Sequence, residues 1–158
     1  ERPFLSANQD FPMTPVPPQL HPAVQQSLEK WHEMVASHDL GDLATLVHPD
    51  AVFRSPMAHS PYGPAAALLL ALQTVVQVFE DFQYHRQLAS ADGLNVVLEF
   101  SARVKDKQLK GIDLIRFDEQ GRILDFEVMV RPFSGLQALG AEMGARLAGR
   151  LPAFKTTA

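Results

Sequence analysis

The stretch that decides the fold runs from residue 95 to residue 131 and reads NVVLEFSARVKDKQLKGIDLIRFDEQGRILDFEVMVR. Within residues 95–104 nearly every second residue is apolar, and the alternation returns in two later segments, 108–117 and 122–131. Successive side chains of a strand point to opposite faces of the sheet, so a period of two predicts strands with one buried face. Short polar segments between these strands predict tight turns. The stretch therefore predicts an antiparallel meander.

Helical patterns lie on both sides of this meander. Apolar residues recur at spacings of three and four after Pro22, and a strongly apolar helix is predicted over 65–79. A shorter helix is predicted over 40–47, followed by a short strand over 51–54. A capping-box pattern at 134–137 predicts that a C-terminal helix begins at Ser134. Helices gathered on one side of an antiparallel sheet define the α+β class, and a curved sheet wrapped around them leaves an apolar pocket.

Length and composition limit the function further. The chain has 158 residues, of which 46% are hydrophobic, and a net charge of −4, as expected for one globular domain without a basic nucleic-acid-binding face. It contains no cysteine, which excludes disulfides, thiolate catalysis and zinc–thiolate sites. The longest apolar run, 65–72, is shorter than the roughly 20 residues that a membrane span needs. With no secretory signal visible, we expect a cytoplasmic protein.

Three segments carry a resemblance to a known superfamily. They are Asp-Leu-Gly-Asp-Leu at 39–43, His-Pro-Asp-Ala-Val-Phe at 48–53 and Gly-Ile-Asp-Leu-Ile-Arg-Phe-Asp-Glu-Gln-Gly-Arg-Ile at 111–123. Together they resemble the nuclear transport factor 2-like superfamily, which includes ketosteroid isomerase, SnoaL-like polyketide cyclases and limonene epoxide hydrolase. The resemblance implies a cone-shaped curved sheet closed by helices, commonly in a homodimer. The resemblance covers residues 22–133, the predicted SnoaL-like domain. The many prolines of residues 1–21 predict an extended arm before it, and the helical pattern of residues 134–158 predicts a C-terminal helix and tail after it.

The resemblance carries over only part of the ketosteroid isomerase site. The oxyanion-hole aspartate of that enzyme corresponds to Asp113, its oxyanion-hole tyrosine to Trp31, and its catalytic base to Ser55. An indole does not titrate and a serine hydroxyl is not a general base, so isomerisation by that mechanism is not expected. The positions of the epoxide hydrolase triad also carry other residues, namely Glu99, Ser101 and Arg131.

Asp113 is the most informative candidate. It shares one face of its predicted strand with Ile115 and Phe117, which places a single carboxyl group on an apolar wall. Burial there would raise its pKa and keep it protonated as a hydrogen-bond donor, a role known from ketosteroid isomerase itself. The alternative is structural: Asp113 pairs with Arg86, with Tyr84 or with the indole of Trp31 and stiffens the core.

The remaining candidates surround the predicted pocket. His59, in the proline-rich loop 55–64, is a speculative general base if its side chain turns inward, although this loop could instead be a rigid lid with a solvated histidine. Trp31 is either core packing or a pocket wall. The predicted ligand-binding residues are Trp31, Phe53, Ser55, Tyr62, Val96, Leu98, Phe100, Ile115, Phe126, Val128 and Val130.

These patterns support two functions. In the first, the cone binds a small apolar molecule with Asp113 as its polar anchor, and any enzymatic activity is acid–base chemistry such as isomerisation, cyclisation or hydration. No cofactor and no metal site is predicted, and no nucleic acid or membrane partner. In the second, the protein is a non-catalytic dimeric module with a filled cone. An open cavity of about 300 Å³ with a base facing Asp113 would favour an enzyme.

Overall fold

The computed structural model of the protein describes residues 19–147 and 149–151. The predicted proline-rich arm therefore lies outside the described residues, except for its last three positions, 19–21. The same holds for most of the tail that follows the C-terminal helix. The assignment of these two segments as separate units stays a prediction.

The described part of the chain contains three α-helices. They are α1 (Pro22–Ser37), α2 (Ala65–Val78) and α3 (Phe133–Leu147). The predicted apolar stripe of α1 is buried at Val24, Leu28 and Trp31. Pro22 occupies the first turn of α1, where a missing amide donor costs nothing.

Five strands form one curved sheet. They are β1 (Val47–Arg54), β2 (Glu80–Ala89), β3 (Asn95–Val104), β4 (Lys107–Phe117) and β5 (Ile123–Arg131). The order in the sheet is β1-β5-β4-β3-β2. The predicted meander is confirmed, because β3, β4 and β5 pair antiparallel along the chain. The α+β class is confirmed as well, but β1 pairs parallel to β5, so the sheet is mixed and not wholly antiparallel.

Two local predictions are wrong. The helix predicted over 40–47 is a single 3-10 turn, Leu43–Leu46, because Val47 already enters β1 by pairing with Ile123. The capping box at Ser134 is not formed, since α3 begins one residue earlier at Phe133. The amide of Leu136 donates to the carbonyl of Pro132, which places Ser134 inside the first turn.

The helix α1 packs on the concave face of the sheet. Its apolar stripe joins one core cluster with residues of β3, β4 and β5, among them Leu98, Ile115 and Phe126. The Trp31 ring meets Phe126 edge-on, with ring centroids 5.5 Å apart. This packing holds the indole against β5.

The turn between β4 and β5 fixes the start of α1. Gly121 has a φ of +79°, and an added Cβ would clash with the carbonyl oxygen of Ala23 and lie 2.7 Å from Ser27 Oγ. The Ser27 hydroxyl also donates a 2.6 Å hydrogen bond to the carbonyl of Gly121. Only a residue without a side chain allows this close approach.

We expect Gly121→Ala to lower the free energy of unfolding by more than 2 kcal/mol, because a left-handed alanine costs about 1–2 kcal/mol before any clash is counted. Gly149→Ala is the matched control: Gly149 has a φ of +78° with nothing within 4 Å of its added Cβ. It should show the conformational cost alone. Urea unfolding of both variants measures the difference, and equal losses would contradict the close-packing argument.

Among the helices of residues 19–147, none is both long enough and apolar enough to span a membrane.

Candidate functional site

A cavity of about 110 Å³ lies between the concave face of the sheet and the helices. Its wall is almost entirely apolar and draws on all three α-helices. The residues that the helices contribute include Trp31, Val35, Leu72, Val75, Val76, Leu139, Met143 and Leu147. Strands and loops add Phe53, Ser55, Met57, Phe82, Tyr84, Asp113, Phe126 and Val128. The cone is therefore neither filled nor as large as the roughly 300 Å³ typical of sites for drug-sized ligands.

Three polar side chains are joined in a chain of hydrogen bonds on this wall. The Trp31 indole N–H donates to the Tyr84 hydroxyl oxygen at 2.9 Å, and the Tyr84 O–H donates to Asp113 Oδ2 at 2.7 Å. A tyrosine hydroxyl has one proton, so Tyr84 cannot donate to a ligand at the same time. No described residue donates a hydrogen bond to the second carboxyl oxygen, Asp113 Oδ1.

The surroundings of Asp113 favour its neutral form. The residue is 6% exposed. Burial raises the pKa of Asp113 from an ordinary 3.8 to about 7, and the hydrogen bond from Tyr84 only partly opposes this shift. Near neutral pH the carboxyl group is therefore divided between a protonated form, which donates a hydrogen bond, and an ionised form, which accepts one. Burial and the adjacent carboxyl also raise the pKa of Tyr84 well above 10, so its hydroxyl keeps its proton.

A buried histidine supports Tyr84 from the side. The His32 ring meets the Tyr84 ring edge-on with centroids 5.1 Å apart, and His32 Nε2 lies 3.0 Å from Gln87 Oε1. Burial lowers the pKa of His32 below 6.5, although the contact with Gln87 opposes this. The neutral ring therefore acts as packing for the tyrosine.

The structure distinguishes between the three predicted partners of Asp113, which were Arg86, Tyr84 and Trp31. Tyr84 contacts it directly and Trp31 acts through Tyr84, whereas Arg86 does not contact it. The Arg86 guanidinium lies on the convex face of the sheet and forms an ion pair with Glu99. That hydrogen bond lowers the pKa of Glu99 to about 2. Among residues 19–147 and 149–151, no cationic side chain forms an ion pair or hydrogen bond with Asp113, and burial is the main influence on its pKa.

The structure places some of the predicted ligand-binding residues around the cavity. Those that line it are Trp31, Phe53, Ser55, Phe126 and Val128, and the predicted polar anchor Asp113 lines it as well. Six others do not line it: Tyr62, Val96, Leu98, Phe100, Ile115 and Val130. Five of the six are buried in the packed core, and Val130 is partly buried against it. The helices α1 and α3 cover the strand residues among them, whereas Tyr62 lies in loop 55–64 and pairs with Phe53.

His59 does not reach the cavity. It is exposed and lies beside a groove of about 380 Å³ on the surface, together with Arg54 and Glu127. His59 is therefore not part of the candidate site. In its place the wall contains His38, the exposed residue that ends α1, which sequence reasoning missed.

Several of the other missed residues belong to α2 and α3. Val75, Val76, Leu139 and Met143 all contribute apolar surface to the cavity. The apolar character of the two helices was visible in the sequence, but their inward faces depend on how they pack together.

Within residues 19–147 and 149–151, no three His, Asp or Glu side chains lie close enough together to hold a metal ion.

Comparison with known proteins defines the family. The chain belongs to the SnoaL-like domain family, whose sequence profile matches residues 28–126. Among curated proteins, none is similar enough in sequence to match.

Several solved structures are similar to this chain. A crystal structure described as a steroid delta-isomerase from Pseudomonas aeruginosa is 62% identical, covers 87% of this chain and 99% of its own, and superposes with a TM-score of 0.82. An uncharacterised protein with a cystatin-like fold from Silicibacter pomeroyi is 30% identical, with 87% and 94% coverage and a TM-score of 0.75. The epoxide hydrolase/cyclase-like enzyme SalBIII, at 14% identity, 74% and 96% coverage and a TM-score of 0.60, shares the fold alone.

Proposed function

We propose that this protein binds a small, uncharged, largely apolar molecule and holds one oxygen atom of that molecule at Asp113. The observation that carries the proposal is the Tyr84–Asp113 hydrogen bond, which occupies one carboxyl oxygen on an otherwise apolar cavity wall. The other oxygen, Oδ1, is left to the ligand. A few convergent polar groups in an apolar cavity are the usual arrangement of a small-molecule site.

The apolar character of the cavity wall also indicates that the ligand is uncharged. An ionised ligand would lose its hydration without meeting an opposite charge, which is costly in an apolar cavity. A ketone or aldehyde oxygen, by contrast, accepts a hydrogen bond from the protonated carboxyl of Asp113. We therefore expect neutral carbonyl compounds to bind best below pH 7, where the carboxyl group is protonated.

The test is the pH dependence of ketone binding. With cyclohexanone as the probe, we expect the dissociation constant of the wild type to rise about tenfold between pH 6 and pH 8, because the fraction of protonated Asp113 falls by about that factor above a pKa of about 7. Asp113→Asn keeps an N–H donor without titrating, so its binding should not change with pH. Asp113→Leu has no donor and should bind about tenfold more weakly at pH 6. Calorimetry measures all three constants.

Asp92→Asn provides the matched control, because Asp92 lies in the β2–β3 turn and is exposed. It should behave as the wild type does. The proposal fails if no neutral ketone binds the wild type, or if Asp113→Leu binds cyclohexanone as tightly as the wild type does.

A second candidate is cofactor-independent isomerisation, and the relative described as a steroid delta-isomerase favours it. Moving a double bond relative to a carbonyl needs a base that removes a proton from carbon and a donor that stabilises the developing oxyanion. Asp113 supplies the donor. His38 is a histidine on the described cavity wall, and an imidazole is a common general base. On this candidate, isomerisation of a β,γ-unsaturated ketone, followed by ultraviolet absorbance, is lost in both His38→Gln and Asp113→Leu.

We also propose that the protein is a homodimer that pairs through the convex face of the sheet and works in the cytoplasm. Leu88 and Met129 are large apolar residues on that face, with 58% and 46% of their surface exposed. Sedimentation velocity measures the mass in solution, and a monomer at micromolar concentration would contradict the dimer.

A further inference from the structure

One cavity residue is far more exposed than its apolar neighbours. Met57 contributes to the cavity wall, yet 55% of its surface is open to solvent. Of the described residues that line the cavity, only Met57 and His38 are exposed to solvent. The Met57 side chain therefore lies where the cavity meets the solvent.

Contacts with its own loop and with α3 fix the position of Met57. On the loop side, its amide donates a 3.0 Å hydrogen bond to Ser55 Oγ, and Pro56 between them restricts the backbone. On the helix side, the side chain lies against the bare backbone of α3 at Gly140. A Cβ added to Gly140 would lie 2.5 Å from Met57 Cε and 2.9 Å from Met57 Sδ.

Gly140 is costly for the helix, because a glycine inside a helix is about 1 kcal/mol less favourable than an alanine. Gly144, one turn later, also lies within α3, but nothing is within 4 Å of its added Cβ. Gly140 and Gly144 thus differ in their surroundings: Gly140 makes room for Met57, whereas Gly144 faces open space.

We propose that Met57 is a specificity-determining residue that closes the cavity over its ligand and limits the ligand to about one six-membered ring. The inference rests on the proposed function, whose ligand it narrows. A cavity of about 110 Å³ is close to the engineered cavity of about 150 Å³ that holds benzene. A methionine side chain is flexible enough to move aside and return, which suits a residue over which a ligand must pass.

The test is a series of neutral ketones of increasing size: cyclohexanone, 2-decalone and androst-4-ene-3,17-dione. Larger ketones bury more apolar surface, so an unrestricted cavity should bind the four-ring compound most tightly. We expect the opposite order for the wild type, with at least tenfold tighter binding of cyclohexanone than of the steroid. Met57→Ala should bind the steroid at least tenfold more tightly than the wild type does, and should not bind cyclohexanone more tightly.

The two glycines provide a matched pair of helix variants. Gly140→Ala pushes the Met57 side chain off the helix and should shift the preference in the same direction as Met57→Ala, by a smaller factor. Gly144→Ala adds the same methyl group where there is open space, so its ligand preference should equal that of the wild type. Because Met57 is exposed, Met57→Ala should also unfold at nearly the wild-type temperature.

Each result decides between the two proposals. If the wild type binds the ketones in order of apolar area and Met57→Ala leaves that order unchanged, the size limit is overturned, while weaker binding by Asp113→Leu still supports the anchor. If neither the wild type nor Met57→Ala binds any ketone, both proposals fall. If Gly144→Ala shifts the preference as much as Gly140→Ala does, Met57 is not the cause.

Discussion

We expect the wild-type protein to lose about 4 kcal/mol of stability relative to Asp113→Asn between pH 4 and pH 8. The unfolded carboxyl group releases its proton near its ordinary pKa of 3.8, whereas in the folded protein it does so near 7. Between these values the folded state binds more protons, so its stability falls as the pH rises and the loss is complete above about pH 7. The pKa of Asp113 differs by about 3 between the folded and the unfolded protein, and each step of 1 in pKa corresponds to about 1.4 kcal/mol of stability.

Urea unfolding of both proteins at unit intervals of pH measures the difference. His32 also titrates, but it is present in both proteins, so its contribution cancels. Tyr84→Phe is an informative third protein: the hydrogen bond from Tyr84 lowers the pKa of Asp113, and removing it should move the loss to higher pH. A wild-type minus Asp113→Asn difference that does not change with pH would show that Asp113 is not desolvated in solution.

The second large effect concerns Trp31. We expect Trp31→Ala to lower the free energy of unfolding by about 3–5 kcal/mol, as is usual when a buried indole is removed. The side chain is 4% exposed, packs edge-on against Phe126 and donates to Tyr84. Trp31→Phe keeps an aromatic ring but loses the N–H donor, so it should cost about 1–2 kcal/mol.

Thermal and urea unfolding of the two variants separate packing from hydrogen bonding. Phe126→Leu is a suitable control, because it changes the aromatic contact and leaves the Trp31–Tyr84 hydrogen bond in place. If Trp31→Phe were as destabilising as Trp31→Ala, the missing N–H, and not the missing volume, would dominate. Trp31 would then have to be described as a polar residue of the site and not as core packing with a polar edge.

The elements with a strong local pattern were predictable from the sequence. Strands β3, β4 and β5 follow a period of two over nine to eleven residues and are joined by short turns, and α1 shows its apolar stripe directly. The parallel pairing of β1 with β5 was not predictable, because it depends on a contact between Val47 and Ile123, which are distant in the chain. The same long-range pairing turns the predicted helix after Leu40 into a single 3-10 turn.

The candidate site was predictable in its polar centre and less so in its walls. Strand alternation placed Asp113 on the concave face, and Tyr84 and Trp31 were among its expected partners. Alternation does not distinguish a residue that faces the cavity, such as Val128, from one covered by a helix, such as Leu98. That distinction depends on the placement of α1, α2 and α3 over the sheet, which no local pattern encodes.

The position of β1 in the sheet has a consequence for how the protein is made. During synthesis β1 leaves the ribosome first of the five strands, yet its neighbour in the sheet, β5, is made last. Until then, in the described part of the chain, the backbone of β1 pairs only at the bridge between Phe53 and Tyr62. Meanwhile β4 presents an open edge of unpaired amides and carbonyls, the kind of edge that promotes aggregation. Pairing between distant strands also slows folding, because the chain loses the entropy of closing a long loop before the new contacts stabilise it. A ribosome that stalls before residue 123 would therefore release a chain that cannot complete its sheet, and that chain would be a substrate for chaperones.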